Sequence, residues 1–295
     1  MKPTTKGYFF LFLSMLAISN VYVFSKAAMN NMSFVQFGFY WFLFAVIWNI
    51  WLIVLRPSLR SSLFIEKHTS YYLPLLGILE ILSTGLFFYA IKQMSNPSIV
   101  SFLGNVGPLF VASLGFVFLK ERFTKIELAG MALTMAGAFI ISRKPNFSWY
   151  LFFTKDAGLV FLSSFIFAIS TVITKHKIKT IHPWILSINR SVFLFITFLI
   201  WFFISHESLL ISKTAFFNVL AGSLLGPFLA VLAGYYAMQY LDVGKSSVIG
   251  SSKSFLVLLF SYWWFGTLPK ENQIAGGVLV VLGSILIIWG KRKKI

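Results

Sequence analysis

The segment ELAGMALTMAGAFIIS, residues 127–142, returns 146 residues later as QIAGGVLVVLGSILII, residues 273–288. Small and apolar residues hold the same places in both copies: Ala129, Gly130, Leu133, Gly137 and Ile141 correspond to Ala275, Gly276, Leu279, Gly283 and Ile287. An earlier stretch repeats as well, because AISNV at residues 17–21 is followed by AISTV at residues 168–172. The chain therefore contains two copies of one structural unit.

Composition places these copies in a membrane. Of the 295 residues, 58% are apolar and only 11% are charged, against roughly 25% charged residues in an ordinary soluble domain. Apolar runs of about 20 residues are long enough to cross a bilayer as helices. Reading these runs predicts ten spans, at residues 7–28, 34–55, 72–91, 97–119, 126–142, 157–174, 183–204, 217–239, 244–265 and 272–290.

Five spans fall in each copy, and this odd number has a topological consequence. The second copy must insert upside down relative to the first, as in the inverted repeats of secondary transporters. We therefore predict an all-α polytopic membrane protein made of two inverted five-helix repeats. Its expected divisions are a first repeat at 1–142, a connection at 143–156, a second repeat at 157–290 and a basic tail at 291–295.

The lysines and arginines predict the orientation. Sixteen of the 25 fall in connections on one side and seven on the other, and the richer side is expected to face the cytoplasm. Both termini are then cytoplasmic, in a cell membrane (the inner or plasma membrane). The formal charge of +17 is assigned to topology and anionic lipid headgroups rather than to nucleic acid.

Catalytic motifs are missing from the sequence. There is no cysteine, and no HExxH, GxSxG or Walker-type phosphate loop. We expect no catalytic residues, no cofactor and no metal, and a transporter driven by a gradient or by exchange rather than an enzyme.

Three charged side chains fall inside predicted spans. Glu80 is near the middle of the third, Lys253 near the middle of the ninth and Arg190 about two turns into the seventh. Such charges are costly in a bilayer, so each needs a partner or a water-filled cavity. Glu80 is expected either to line the substrate path or to pair with a buried cation. Lys253 is expected in the path, and Arg190 in a structural or gating role.

Polar and small residues interrupt the fourth and ninth spans. In the repeat, the segment Gly104-Asn105-Val106-Gly107-Pro108 corresponds to the segment Gly250-Ser251-Ser252-Lys253-Ser254. Proline removes a backbone donor, so free carbonyls can face a cavity there. Asn105 and Ser251 are candidate substrate ligands, and Gly104, Gly107, Pro108 and Gly250 are candidate structural or gating positions. Close helix packing explains such small residues equally well.

Three tyrosines complete the set of candidate substrate-binding residues: Tyr89, Tyr235 and Tyr236. Their amphipathic rings suit an aromatic or apolar solute, although a packing or interfacial role is the ordinary one for such residues.

Several of these motifs together resemble the EamA-like branch of the drug/metabolite transporter superfamily. They are Tyr89-Ala90-Ile91-Lys92, Pro108, Leu119-Lys120-Glu121-Arg122 followed by Gly130 and Gly137, and Tyr236-Ala237-Met238. The likeness extends over essentially the whole chain. It implies a central cavity lined by helices three, four, eight and nine. The chain departs from the family pattern at Ser254 in place of a proline, at Thr267 in place of a glutamate and at the added Lys253.

The expected function is secondary-active transport of a small organic solute by alternating access, with a proton as the candidate coupling ion. Glu80 and Lys253 together would complement a zwitterion, so export of amino acids or related zwitterions is the first hypothesis. The alternatives are an organic-anion or phosphate-bearing substrate, and an intramembrane lipid-handling protein or enzyme. Membrane lipids are expected partners, and the protein is expected to be a monomer or homodimer.

Overall fold

Helices occupy the predicted apolar runs in the structure, a computed structural model that describes residues 2–64, 67–93, 103–142, 155–265 and 270–290. In chain order they are α1 (Pro3–Met29), α2 (Phe34–Leu55), α3 (Tyr72–Gln93), α4 (Gly107–Phe118), α5 (Lys125–Ser142), α6 (Lys155–Lys177), α7 (Pro183–Ile204), α8 (Lys213–Tyr240), α9a (Val243–Gly250), α9b (Lys253–Phe265) and α10 (Glu271–Trp289). The described residues contain no β-strand. The all-helical class is thus confirmed.

Five of these helices are each long and apolar enough to cross a membrane: Phe34–Leu55, Ala157–Lys177, Pro183–Ile204, Lys213–Tyr240 and Glu271–Trp289. The predicted spans 34–55 and 183–204 match α2 and α7 residue for residue. The predicted continuous span 244–265 is wrong in one respect, since a turn at Ser251 and Ser252 divides it into α9a and α9b. Residues 143–154, Thr267 and the basic tail 291–295 lie outside the described residues.

Local sequence fixes where α2 and α7 begin. Ser33 accepts a hydrogen bond from the Gln36 backbone N–H, and the Gln36 side chain accepts one from the Ser33 backbone N–H. This reciprocal pair satisfies two amides that a helix start leaves open. Pro183 opens α7, where its missing N–H is no loss, and the His182 Nδ1 accepts a hydrogen bond from the Trp184 N–H at 3.2 Å.

The chain divides into two compact units. Unit 1 consists of Met1–Ile81 and Thr174–Tyr240, and unit 2 of Leu82–Ile173 and Leu241–Ile295. Unit 1 holds α1, α2, the first part of α3, α7 and α8, whereas unit 2 holds α4, α5, α6, α9a, α9b and α10. Each unit takes helices from both halves of the chain. The repeats at 1–142 and 157–290 therefore stay a prediction about duplication rather than a description of these units.

In unit 1, aromatic side chains join α2 to α7. The rings of Phe39 and Phe202 lie 4.5 Å apart, and those of Phe42 and Phe198 lie 5.5 Å apart. Gly38 makes room for this packing, because a Cβ there would overlap the Phe198 ring. Each such aromatic pair adds about 0.5–1.5 kcal/mol beyond the area it buries. The interface is expected to move as one body.

A π-helical stretch, Leu224–Ala230, lies within α8 and contains Pro227. Proline lacks the N–H that an α-helical ladder needs, and the wider π turn accommodates that gap. The α1 side chain Ser14 donates its hydroxyl to the Ala230 carbonyl oxygen at 2.7 Å. This bond ties α8 to α1 directly after the irregular stretch.

In unit 2, the repeated glycines bring α5 against α10. A Cβ on Gly130 would lie 2.7 Å from the Gly283 carbonyl oxygen, and a Cβ on Gly137 would lie 2.5 Å from that of Gly276. Gly130 of the first copy corresponds to Gly276 of the second, and Gly137 corresponds to Gly283. Gly130 therefore faces the equivalent of Gly137, and Gly137 faces the equivalent of Gly130. This reciprocal, antiparallel pairing is what a two-fold relation requires. It supports the inverted repeat and places these glycines in contact within one chain.

Candidate functional site

The helices of the fourth and ninth spans are interrupted at equivalent positions in unit 2. Turns replace helix at Asn105 and Val106, just before α4, and at Ser251 and Ser252, between α9a and α9b. The two interruptions lie 146 residues apart, the same offset as the repeat. In the sequence analysis, a loosened helix at both places was one of two alternatives, the other being close helix packing.

The hydrogen bonds around the two breaks are also equivalent. The Val106 N–H donates to the Leu103 carbonyl oxygen at 3.1 Å, and the Ser252 N–H donates to the Ile249 carbonyl oxygen at 2.9 Å. These bonds span three residues instead of four, so the α-helical ladder is locally broken. Backbone groups that lose an α-helical partner inside a membrane are tolerated only where they meet protein or line a water-filled cavity.

The polar side chains at the breaks are held by nearby atoms. The Asn105 amide donates to the Ala138 carbonyl oxygen at 3.4 Å, and the Ser252 and Ser284 hydroxyls lie 2.8 Å apart. The Ser251 hydroxyl donates to the Val248 carbonyl oxygen, and Ser251 is 2% exposed. Asn105 and Ser251 thus help to fix the geometry of the breaks.

Lys253 is the first residue of α9b and is partly buried, and its equivalent is Gly107, the first residue of α4. A helix N-terminus carries a partial positive charge from its open N–H groups. An ammonium group at the same place adds to that potential instead of balancing it, which favours an anionic group nearby. The α9 break therefore carries a basic side chain, whereas Asn105 gives the α4 break an amide.

A second charged group of candidates lies in unit 1. The Arg190 Nε lies 2.8 Å from the Glu80 Oε2, with the two side chains 20% and 7% exposed. The Tyr235 hydroxyl is close enough to interact electrostatically with both. The structure thus joins three residues that the sequence analysis singled out separately. Removing one member of a buried ion pair costs about 3–5 kcal/mol, since the other charge is left uncompensated.

The hypothesis that Glu80 pairs with Lys253 stays a prediction. Glu80 belongs to unit 1 and Lys253 to unit 2. What the structure adds is a cation, Arg190, bonded to the Glu80 carboxylate within unit 1.

The remaining tyrosines occupy different surroundings. Tyr236 stacks on Phe10 with ring centroids 5.0 Å apart and meets the His182 ring edge-on at 5.9 Å. Tyr89 is 51% exposed on the part of α3 that belongs to unit 2. Tyr236 therefore packs within the helix bundle, and Tyr89 is the accessible one of these two rings.

Two buried carboxylates were not singled out as site residues by the sequence analysis. Glu121 accepts hydrogen bonds from the Val243 and Gly244 N–H groups at 2.6 and 2.9 Å, so it caps the start of α9a. It follows Lys120, whose φ of 55° lies in the left-handed region. Glu121 was included in the sequence analysis as part of the Leu119-Lys120-Glu121-Arg122 motif. The spacing of residues in the sequence does not predict that this carboxylate contacts α9a.

Glu127 is the second of these carboxylates and is 1% exposed. It accepts a hydrogen bond from the Thr124 N–H at 2.7 Å and lies 2.7 Å from the Lys245 Nζ. The four-residue pattern from Thr124 to Glu127 is a capping box, which was available as a sequence signal. Together Glu121 and Glu127 hold α9a at the end farthest from the Lys253 break.

Two inverted five-helix repeats with equivalent helix breaks define a class, the polytopic membrane transporters. Comparisons with known proteins agree. The model of the EamA-like transporter family matches residues 5–143 and 155–289, so this chain belongs to the EamA-like transporter family. The family's description and the relatives below, which are named as transporters, point to a membrane transporter rather than an enzyme.

Curated relatives are named as transporters. An uncharacterized transporter of Synechocystis is 24% identical over 232 residues, covering 72% of this chain and 64% of that protein. An uncharacterized transporter of Archaeoglobus fulgidus is 22% identical over 213 residues, covering 72% of this chain and 75% of that protein. The match thus spans slightly less than two thirds of the Synechocystis protein.

A solved crystal structure shares the fold. It superposes with a TM-score of 0.82 over 99% of both chains at 15% sequence identity. This likeness concerns the architecture alone.

Proposed function

We propose that this transporter moves a small zwitterionic metabolite, with amino acids as the expected substrates, and that it works as an exporter by alternating access. The observation that carries the proposal is the pair of equivalent helix breaks with a charge on only one of them. Lys253 and the N-terminus of α9b would receive the substrate carboxylate. Carbonyl oxygens released at the breaks would receive its ammonium group, as broken transporter helices do with cations.

The Glu80–Arg190 pair supports a revised role for Glu80. Its carboxylate is bonded to Arg190, and this favours the structural role that the sequence analysis left open over direct binding of a substrate amine. In this proposal the pair joins α3 to α7 in unit 1, and the charge that selects the substrate is Lys253.

An organic anion is the second candidate substrate, favoured by the same observation. If Arg190 neutralises Glu80, the recognition of a substrate ammonium rests on backbone carbonyls alone. A substrate without an ammonium group would then bind as well as one that carries it. Direct comparison of amino acids with matched organic acids distinguishes the two.

Ligand-induced thermal stabilisation of the purified protein tests the proposal. A ligand present at about 100 times its dissociation constant adds about 2.7 kcal/mol of apparent stability. We expect amino acids to raise the melting temperature, and Lys253→Ala to abolish the effect. Lys213→Ala is the matched control, because Lys213 is also the first residue of a helix but is exposed.

Each outcome has a defined meaning. Stabilisation by organic acids and amino acids alike would replace the zwitterion with the anion. Stabilisation by amino acids that persists in Lys253→Ala would contradict the role of Lys253.

A further inference from the structure

Gly104 and Gly250 occupy equivalent positions directly before the two helix breaks in unit 2, 146 residues apart. For each of them, the described residues place no heavy atom within 4 Å of the point where a Cβ would lie. Both residues are nevertheless partly buried. A partly buried position with open space beside its Cα can hold a larger group without a clash.

Other glycines show that this space is not a general feature. A Cβ on Gly277 of α10 would lie 2.5 Å from the Phe255 ring, so Gly277 permits close packing against α9b. A Cβ on Gly107 would make an ordinary contact, 3.6 Å from the Ser164 Cβ. Gly85 and Gly158 also have open space, but both are exposed. Gly104 and Gly250 are therefore the partly buried glycines of unit 2 for which the described residues leave this space open.

We infer that Gly104 and Gly250 set the size of the substrate that the transporter accepts, because their missing side chains leave the volume that the substrate occupies. This rests on the proposed function, in which the charged end of the substrate lies at Lys253, three residues after Gly250. The part of the substrate beyond its charged groups then lies against the two glycine backbones. Larger residues at these positions fill that volume and exclude larger substrates first.

Cysteine substitution tests the cavity independently of any substrate. The natural chain contains no cysteine, so Gly104→Cys and Gly250→Cys each introduce a single thiol. A charged, water-soluble methanethiosulfonate is expected to label both, since a cavity open to substrate is open to water. Leu282→Cys is the control: Leu282 is 49% exposed on α10, where we expect lipid to cover it, and it should resist labelling.

Folding controls separate access from damage. Gly104→Cys and Gly250→Cys should keep the melting temperature of the natural protein, because the new side chains meet open space. Gly137→Cys should lower it, because its Cβ would lie 2.5 Å from a backbone oxygen. If neither Gly104→Cys nor Gly250→Cys is labelled while both stay folded, the cavity does not exist and the inference is overturned.

Substrate size is then tested with Gly104→Ala, Gly250→Ala and Gly250→Leu against glycine, alanine, leucine and phenylalanine. We expect the thermal stabilisation by leucine and phenylalanine to fall at least tenfold in apparent affinity in Gly250→Leu, while glycine keeps its effect. Equal losses for all four amino acids would overturn the size rule. If no amino acid stabilises even the natural protein, the zwitterion proposal fails, and labelling of the two thiols by reagents of increasing size still decides whether these glycines limit the volume.

Discussion

Lys120 has a left-handed backbone, with φ of 55°, directly before the carboxylate that caps α9a. Residues with a Cβ lose roughly 1–2 kcal/mol in this conformation, whereas glycine adopts it readily. The conformation therefore explains why the chain turns sharply enough to direct Glu121 at the start of α9a.

Lys120→Gly is expected to stabilise the protein. Relief of the backbone strain should outweigh the added freedom of the unfolded chain and raise the melting temperature by about 2 °C. Thermal unfolding in detergent measures this. Arg122→Gly is the control, since Arg122 is exposed and has no positive φ. A drop in melting temperature for Lys120→Gly would contradict the assigned strain.

His182 makes the start of α7 sensitive to acid. Burial lowers the pKa of His182 below its usual value, and its Nδ1 accepts the Trp184 N–H only while that nitrogen carries no proton. The unfolded chain takes up the proton first as the pH falls below about 6.5, so the contribution of His182 to folding stability is constant above that value and declines below it.

We expect the melting temperature to fall between pH 7.5 and pH 5.5, and His182→Asn to reduce this fall, because asparagine caps a helix without titrating. His206→Asn is a matched control: His206 is exposed with φ of 51°, a conformation that asparagine tolerates. An unchanged pH dependence in His182→Asn would show that other groups cause it.

At the scale of residues, the sequence identified charges but not their partners. Glu80 and Arg190 were selected because charged groups are rare in apolar spans, and Tyr235 was selected because its ring suits an aromatic or apolar solute. Their meeting depends on the rotation and depth of α3, α7 and α8, which no single sequence states. Glu121 was missed as a cap for the same reason, since its target lies 122 residues away.

At the scale of elements, the crossing of α5 and α10 depends on the absence of side chains. Gly130, Gly137, Gly276 and Gly283 are all buried there. The repeat in the sequence marks these four glycines as equivalent positions, and the structure shows that they meet within one chain.

Gly137→Ala should therefore destabilise the protein. Its Cβ meets the Gly276 carbonyl oxygen at 2.5 Å, and overpacking of this kind costs about 1–3 kcal/mol. Gly158→Ala, where the Cβ has open space, should be neutral or slightly stabilising because alanine favours helix. Thermal unfolding of the two variants side by side measures the difference. Equal melting temperatures for the two variants would show that α5 and α10 accommodate the added methyl group without a loss of stability, and would contradict this prediction.

Interrupted elements were the harder part of the fold to predict. Gly250, Ser251 and Ser252 signalled a weakness in the ninth span, yet its length and apolar character predicted one continuous helix. The irregular turns of α8 are comparable, because Pro227 marks the place without specifying a π-helical stretch at Leu224–Ala230. The hydropathy of a segment predicts the length of its helix well and predicts the local backbone geometry within that helix poorly.

At the scale of the whole molecule, the repeat in the sequence reappears as equivalent geometry. The helix breaks, the hydrogen bonds around them and the glycine crossing all follow the 146-residue offset. The two compact units nevertheless mix helices from both repeats. The duplicated sequence thus predicts which helices are equivalent. It does not predict how the helices group in space, because that grouping depends on contacts between helices of the two copies.

Solute flux in proteoliposomes tests the central claim most directly. Vesicles containing the natural protein should move a radiolabelled amino acid across the membrane, Lys213→Ala should do so at a similar rate, and Lys253→Ala should lose at least nine tenths of the flux. Flux of amino acids that is unchanged in Lys253→Ala would contradict the assignment of the site to the cationic helix break.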